Sequence, residues 1–119
     1  MRYALLSYGD PDLVAALSVE ERAGWEIDDI AFELAIQASG IVIGGFALDD
    51  SDTATTVRVL HGDPRLVDGP AVTSSDQLRC LLFIDVDHLD AALEVAGRCP
   101  ASRFGPLEVR PVRTWTALR

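Results

Sequence analysis

Hydrophobic residues along the chain change period several times, and each change marks an element. Residues 3–8 form a short apolar run ended by Gly9-Asp10-Pro11, which predicts a first strand turning into a helical segment. In that segment Asp10 serves as the cap, Pro11 fits the first helical position, and Leu13, Val14 and Leu17 form a short apolar face. Ser18 with Glu21 three residues on fits a capping box, so a long helix is expected from there to about Ser39, where Gly40 ends it. Ala23, Ile27, Ile30, Ala31, Leu34 and Ala38 recur at helical spacing and predict its core-facing stripe, with Trp25 and Phe32 widening it.

Strand patterns follow. Residues 41–46 are β-branched around the Gly44-Gly45 pair, which suggests a bulge or a close backbone approach. Residues 55–60 alternate, and 61–64 turn the chain back into Arg65-Leu66-Val67, a hairpin whose second arm ends on Asp68. Residues 78–84 are continuously apolar, so both faces of that strand are expected to be covered. Asp87 then caps a helix carrying Leu89, Ala92, Leu93 and Ala96, Cys99-Pro100 ends it, and residues 107–112 supply a closing strand. This order predicts an α+β fold of ferredoxin-like type, an antiparallel sheet with helices on one face. Two helices cover one face only, so a second copy of the chain is expected over the other, giving a homodimer.

Length and charge narrow the partners. The 119 residues amount to one domain, and ten arginines against nineteen acids, with no lysine, give a formal charge of −9. Such a surface disfavours nucleic acid and anionic membranes. No apolar run approaches a membrane span and the first residues are too short for an export signal, so the expected location is cytoplasmic. Cys80 and Cys99 form no Cys-x-x-Cys pair and are expected to be reduced structural thiols. The acidic loop 49–52 lacks the glycine and closing glutamate of an EF-hand, and His61 and His88 have no third ligand in view, so neither a metal nor a cofactor is expected.

Asp68-Gly69-Pro70 is the most distinctive local signal, a rigid turn bearing a carboxylate. With 53–58 (Thr-Ala-Thr-Thr-Val-Arg), Arg2-Tyr3 and Leu5-Leu6, Asp85-Val86-Asp87, Leu89-Asp90-Ala91-Ala92, Cys99-Pro100 and Glu108-Val109-Arg110-Pro111-Val112, it makes the whole chain resemble the YCII-related proteins of the DGPF subgroup. The resemblance implies a single YCII-related domain over residues 1–119, a dimeric α/β barrel similar to muconolactone-isomerase-like proteins, and a cleft between sheets. It implies no established activity; relatives often occur beside extracytoplasmic-function sigma factors, which leaves an accessory or regulatory role open. The chain departs from the pattern at Ala71 and at residues 73–76, which lack the family's Glu and Lys, and it has no histidine before His61 where the broader family is suspected to use a His-Asp pair.

Candidate chemistry rests on four residues. Asp68 is a candidate general base, against the alternative that it only bonds its own turn. Arg58 and Arg110 are candidate anchors for a substrate carboxylate, with Glu108 positioned on the same strand face to pair with Arg110 instead. Tyr8 ends the first strand, where it lines a cleft or packs as an ordinary aromatic. A small carboxylate-bearing ligand in the dimer cleft and a non-catalytic accessory role both stand.

Overall fold

A computed structural model describes residues 1–113. Strand β1 (Arg2–Gly9) leads into a short helix α1 (Pro11–Ala15), then the long helix α2 (Val19–Ala38) and β2 (Val42–Ala47). A hairpin of β3 (Thr55–Leu60) and β4 (Asp63–Asp68) interrupts the return to β5 (Gln77–Asp85), which is followed by α3 (Leu89–Arg98) and β6 (Leu107–Pro111). The main sheet is antiparallel with order β2-β5-β1-β6, and β3-β4 form a separate two-stranded sheet. With the hairpin set aside, strand-helix-strand-strand-helix-strand in that spatial order is the ferredoxin-like arrangement.

Local signals account for most boundaries. Asp10 accepts a hydrogen bond from the Asp12 N–H at 2.9 Å, and Pro11 occupies the first turn of α1. Ser18 and Glu21 close the capping box in both directions at 3.0 Å each, and Gly40, at φ +78°, follows the end of α2. The start of α3 departs from expectation. Its cap is His88, whose Nδ1 accepts from the Ala91 N–H at 3.2 Å, because the helix begins one residue later than an Asp87 cap requires.

The core lies on one face of the sheet. Tyr3, Leu5 and Ile84 pack against Ile36 of α2 and Ala92, Val95 and Ala96 of α3. Cross-strand registers put Leu82 and Val109 on this face as well, opposite Leu5. The alternate positions Ala4, Leu6, Leu81 and Phe83 point to the other face, where neither α2 nor α3 lies. The continuous apolar character of β5 therefore has a structural counterpart, one face under α2 and α3 and one face that no helix among the described residues covers.

On α2 the expected stripe is reversed. Ile27, Ile30 and Leu34 are 68%, 57% and 63% exposed, whereas Trp25, Phe32 and Ile36 turn inward. At 100° per residue the two sets lie on opposite sides of the helix, so α2 carries two apolar faces and the one richer in aliphatics points outward. The inner face holds because the Trp25 indole donates to the Pro100 carbonyl at 3.2 Å and stacks edge-on against Phe104 with ring centroids 5.3 Å apart. Trp25 thus meets the segment after α3, whereas Ala23 and Ala31 lie on the outward side with Ile27 and Ile30.

Candidate functional site

The hairpin separates the residues expected to act together. Thr55 faces Asp68 across the β3-β4 ladder, Val57 faces Leu66, and Arg58 faces Arg65. Residues at odd and even steps point to opposite faces, so Asp68 shares one face with Val57 and Arg58 lies on the other. Asp68 is exposed, and among the described residues no hydrogen bond or ion pair reaches its carboxylate, including from its own turn. Gly69 holds the turn, at φ +102°, by donating to the Ala54 carbonyl at 2.7 Å, and its carbonyl accepts from Thr56 Oγ1 at 2.8 Å. Arg58 donates to the Ala71 carbonyl at 3.2 Å. Arg110 sits on the far edge strand β6 and is paired with Glu108, the ion pair their shared face allows. Tyr8 lies half-buried at the end of β1, opposite Leu78 across a bulge. The four residues do not converge on one pocket of a single protomer.

A groove does exist elsewhere, of about 290 Å³, between α2 and the strands β2 and β5. Its wall is Asp29, Phe32, Glu33, Ile36 and Gln37 of α2, and its floor includes Val42, Gly45, Ala47, Cys80 and Leu82, with Cys99 also lining it. The space follows from local sequence. Ile36 and Trp25 pin α2 at two points, and between them the floor carries Gly45 and Ala47 where bulkier strand residues would fill the gap. A Cβ on Gly45 would come within 3.1 Å of the Leu81 carbonyl oxygen and 3.2 Å of Leu82 Cδ1, so glycine also lets β2 sit close against β5.

The electrostatics of the groove centre on Asp29, an acid on the inner face of α2 among Trp25, Phe32 and Ile36. Partial burial, reinforced by the Glu33 carboxylate, raises its pKa above the ordinary carboxylate value. Asp28 next to it pairs with Arg103 at 2.9 Å, while among the described residues no cation pairs with Asp29. Burial also pushes the Cys80 and Cys99 thiols up, which keeps both protonated and unreactive at neutral pH. Both cysteines are free thiols. Among the described residues no arginine or histidine lines the groove. A half-buried carboxyl of raised pKa over an apolar floor can donate or accept a hydrogen bond at a ligand hydroxyl, and it repels a ligand carboxylate. No group of three or more His, Cys, Asp and Glu among the described residues is arranged to hold a metal ion.

Asp29 was hidden in the sequence because an acid recurring along an amphipathic helix ordinarily marks the solvated face. The available signal was its spacing, four residues after Trp25 and three before Phe32.

An antiparallel ferredoxin-like sheet with both long helices on one face, a groove beneath one of them and an opposite face that no helix among the described residues covers defines a class of small α+β protein. Within it, the chain belongs to the YCII-related domain family, whose model matches residues 1–116. It is 31% identical over 114 residues to an uncharacterized protein of Rhizobium meliloti (strain 1021), covering 94% of this chain and 92% of the relative. Among solved structures it is similar to 5-chloro-2-hydroxyhydroquinone dehydrochlorinase (TftG) from Burkholderia phenoliruptrix, determined in complex with 2,5-dihydroxybenzoquinone. That likeness has a TM-score of 0.55 at 12% identity and covers 95% of this chain and 94% of TftG, a likeness of fold. No helix among the described residues is long and apolar enough to cross a membrane.

Proposed function

We propose that this protein binds a small, ring-sized molecule in the groove between α2 and the sheet, with Asp29 as the polar contact that orients it. The observation that carries the proposal is the unpaired, half-buried Asp29 carboxyl over an apolar floor. Perturbed ionisable groups in a cleft are characteristic of binding and catalytic sites. A carboxyl whose titration moves toward neutrality suits holding or moving a proton at a hydroxyl. Neutral or cationic ligands with hydroxyl or amino donors fit the groove better than the carboxylate-bearing ligand anticipated from Arg58 and Arg110. A hydroxylated ring is the first class to try, in keeping with the quinone in the TftG complex. The binding unit is proposed to be a homodimer with the uncovered sheet faces toward each other, the dimeric α/β barrel of the sequence resemblance.

A thermal-shift screen tests the ligand. Hydroquinones, catechols and aromatic amines should raise the melting temperature, and benzoates should not. At a hundred-fold excess over Kd, binding to the native state alone adds about 2.7 kcal/mol. Asp29→Asn should remove the response. It should also alter the pH dependence of the unliganded protein. Because the folded pKa lies above the unfolded one, the native state holds the Asp29 proton more tightly. Stability from this group is therefore present at low pH and is lost as pH rises from the unfolded pKa through the raised folded value. Asp29→Asn should remove that decline and melt higher than the parent at neutral pH. A ligand response unchanged in Asp29→Asn would sink the proposed role.

A second function, a non-catalytic accessory protein that docks another protein, is favoured by the outward stripe of α2, where Ile27, Ile30 and Leu34 are exposed in a row. A silent screen across all three ligand classes supports it over the groove.

A further inference from the structure

Strand β5 carries a bulge, and Arg79 is the residue it adds. Ser7 faces Cys80 across the β1-β5 ladder and Tyr8 faces Leu78, so Arg79 has no partner on β1. A bulge of this kind re-aims the side chain of the extra residue. Gly9 makes room for it. A Cβ on Gly9 would stand 2.8 Å from Arg79 Cδ and 3.3 Å from its Nη1, so the arginine lies across bare glycine backbone. The side chain is half-buried, and among the described residues no ion pair or hydrogen bond engages its guanidinium. A guanidinium loses hydration under such cover, and arginines taken out of water ordinarily have a partner.

Arg79 lines a second cavity, of about 440 Å³, which shares no lining residue with the groove of Asp29. Its borders are α1 with Asp12 and Val14, the turn after β2 with Asp49 and Asp50, the start of β5, and Arg22 near the start of α2. Two arginines and three aspartates thus surround one space, yet among the described residues none of the five forms an ion pair with another. Bonds to their surroundings hold them apart. Arg22 Nη2 donates to the Val14 carbonyl at 3.3 Å, and the Asp49 carboxylate accepts from the Asp50 N–H at 2.8 Å. The Leu48 N–H donates to the Arg79 carbonyl at 2.7 Å and ties the acidic turn to the bulge.

We propose that this cavity binds a small zwitterion, a free α-amino acid, with its carboxylate on Arg79 and Arg22 and its ammonium among Asp12, Asp49 and Asp50. Charge selects the ligand. A simple anion gains two arginines but meets three aspartates on a chain of formal charge −9, and a simple cation leaves Arg79 without a counter-ion. A molecule that carries both charges a few bonds apart engages both sets at once. The planar guanidinium fork matches a carboxylate in a bidentate pair, which gives the carboxylate end its direction. Val14, Leu48 and Leu78 supply an apolar wall for the side chain of the ligand, and the cavity has the size of a small-molecule site. An uncharged side chain fits best, because an acidic one brings a second carboxylate among the aspartates.

The test is an NMR titration of the isotope-labelled whole chain with leucine, glutamate, acetate and leucine methyl ester. Leucine should bind with a dissociation constant below about 1 mM and move the amide signals of residues 48–51 and 77–79. Acetate lacks the ammonium, the ester lacks the carboxylate and glutamate adds a charge, so each should bind at least about ten-fold more weakly. Arg79→Gln should weaken leucine by a similar factor, while Arg98→Gln, which removes the same charge from the exposed end of α3, should bind as the parent does. Absence of leucine binding overturns the proposal, as do signal changes confined to other residues. Acetate binding as tightly as leucine reduces the cavity to an anion site, and an equal affinity for the ester reduces it to a cation site; either overturns the zwitterion. An equal loss in Arg98→Gln overturns the role of Arg79. Leucine carries no ring and the ligands expected in the groove carry no carboxylate, so this site and the groove can fail separately.

Discussion

Ile84→Asp should yield no cooperatively folded protein at 25 °C, as read by circular dichroism and urea denaturation. Ile84 has no exposed surface and sits at the centre of the cluster formed by Tyr3, Leu5, Ile36, Ala92 and Val95. Truncating a buried isoleucine to alanine alone costs about 2–5 kcal/mol, and an unpaired buried carboxylate adds several more. Those losses together match the whole stability of a small domain, about 5–15 kcal/mol. The neighbouring position separates the two faces of the sheet. Phe83→Asp places the same charge on the uncovered face, so it should leave a folded protein and lower its tendency to associate. Leu82 lies on the core face beside Leu5, and a charge there should destabilise in the same direction as at Ile84. If Phe83→Asp unfolds the protein as completely as Ile84→Asp, the two faces of β5 are not distinct in the way the register describes.

The same contrast explains what was legible in the sequence. Strands and the caps of α1 and α2 were, because Asp10, Ser18, Glu21 and the glycine at position 40 act through backbone geometry within a few residues, whereas the α3 cap fell one residue later than Asp87. The ferredoxin-like order followed from the alternation of periods, and β5 announced two apolar faces through residues 78–84. Orientation of α2 was not legible. Periodicity identifies an apolar stripe but not which of two opposite stripes meets the sheet, and the inner one is interrupted by Asp29 while the outer one is aliphatic throughout. Tertiary contacts with Pro100 and Phe104, more than 60 positions away in sequence, decide it. The candidate site suffered for the same reason. Asp68, Arg58 and Arg110 were grouped by residue type and motif, but strand register places Arg58 and Asp68 on opposite faces and β6 holds Arg110 against Glu108. The groove, by contrast, arises from small residues at positions 45 and 47 and from an acid on the core side of a helix, features that carry meaning only once β2 lies beneath α2.

Gly69→Val should destabilise the root of the β3-β4 hairpin by about 1–3 kcal/mol, while Asp68→Asn should leave stability within about 0.5 kcal/mol of the parent. Gly69 has φ +102°, a backbone conformation closed to a β-branched residue, although no heavy atom lies within 4 Å of where its Cβ would stand. The cost is thus conformational rather than steric crowding, and it falls on the Gly69 N–H bond to Ala54 and on the Thr56 bond to the Gly69 carbonyl. Asp68 makes neither bond, and its carboxylate is exposed, so exchanging it for an isosteric amide removes only a solvated charge. Because none of the buried core residues lies in the hairpin, the strain in Gly69→Val should appear first as faster hydrogen exchange in residues 55–68, with the transition of the main sheet displaced less. Asp68→Asn should match the parent in both measurements. A Gly69→Val protein with parental exchange in residues 55–68, or an Asp68→Asn protein whose hairpin exchanges as fast as the strained variant's is expected to, would show that the carboxylate rather than the glycine organises this turn.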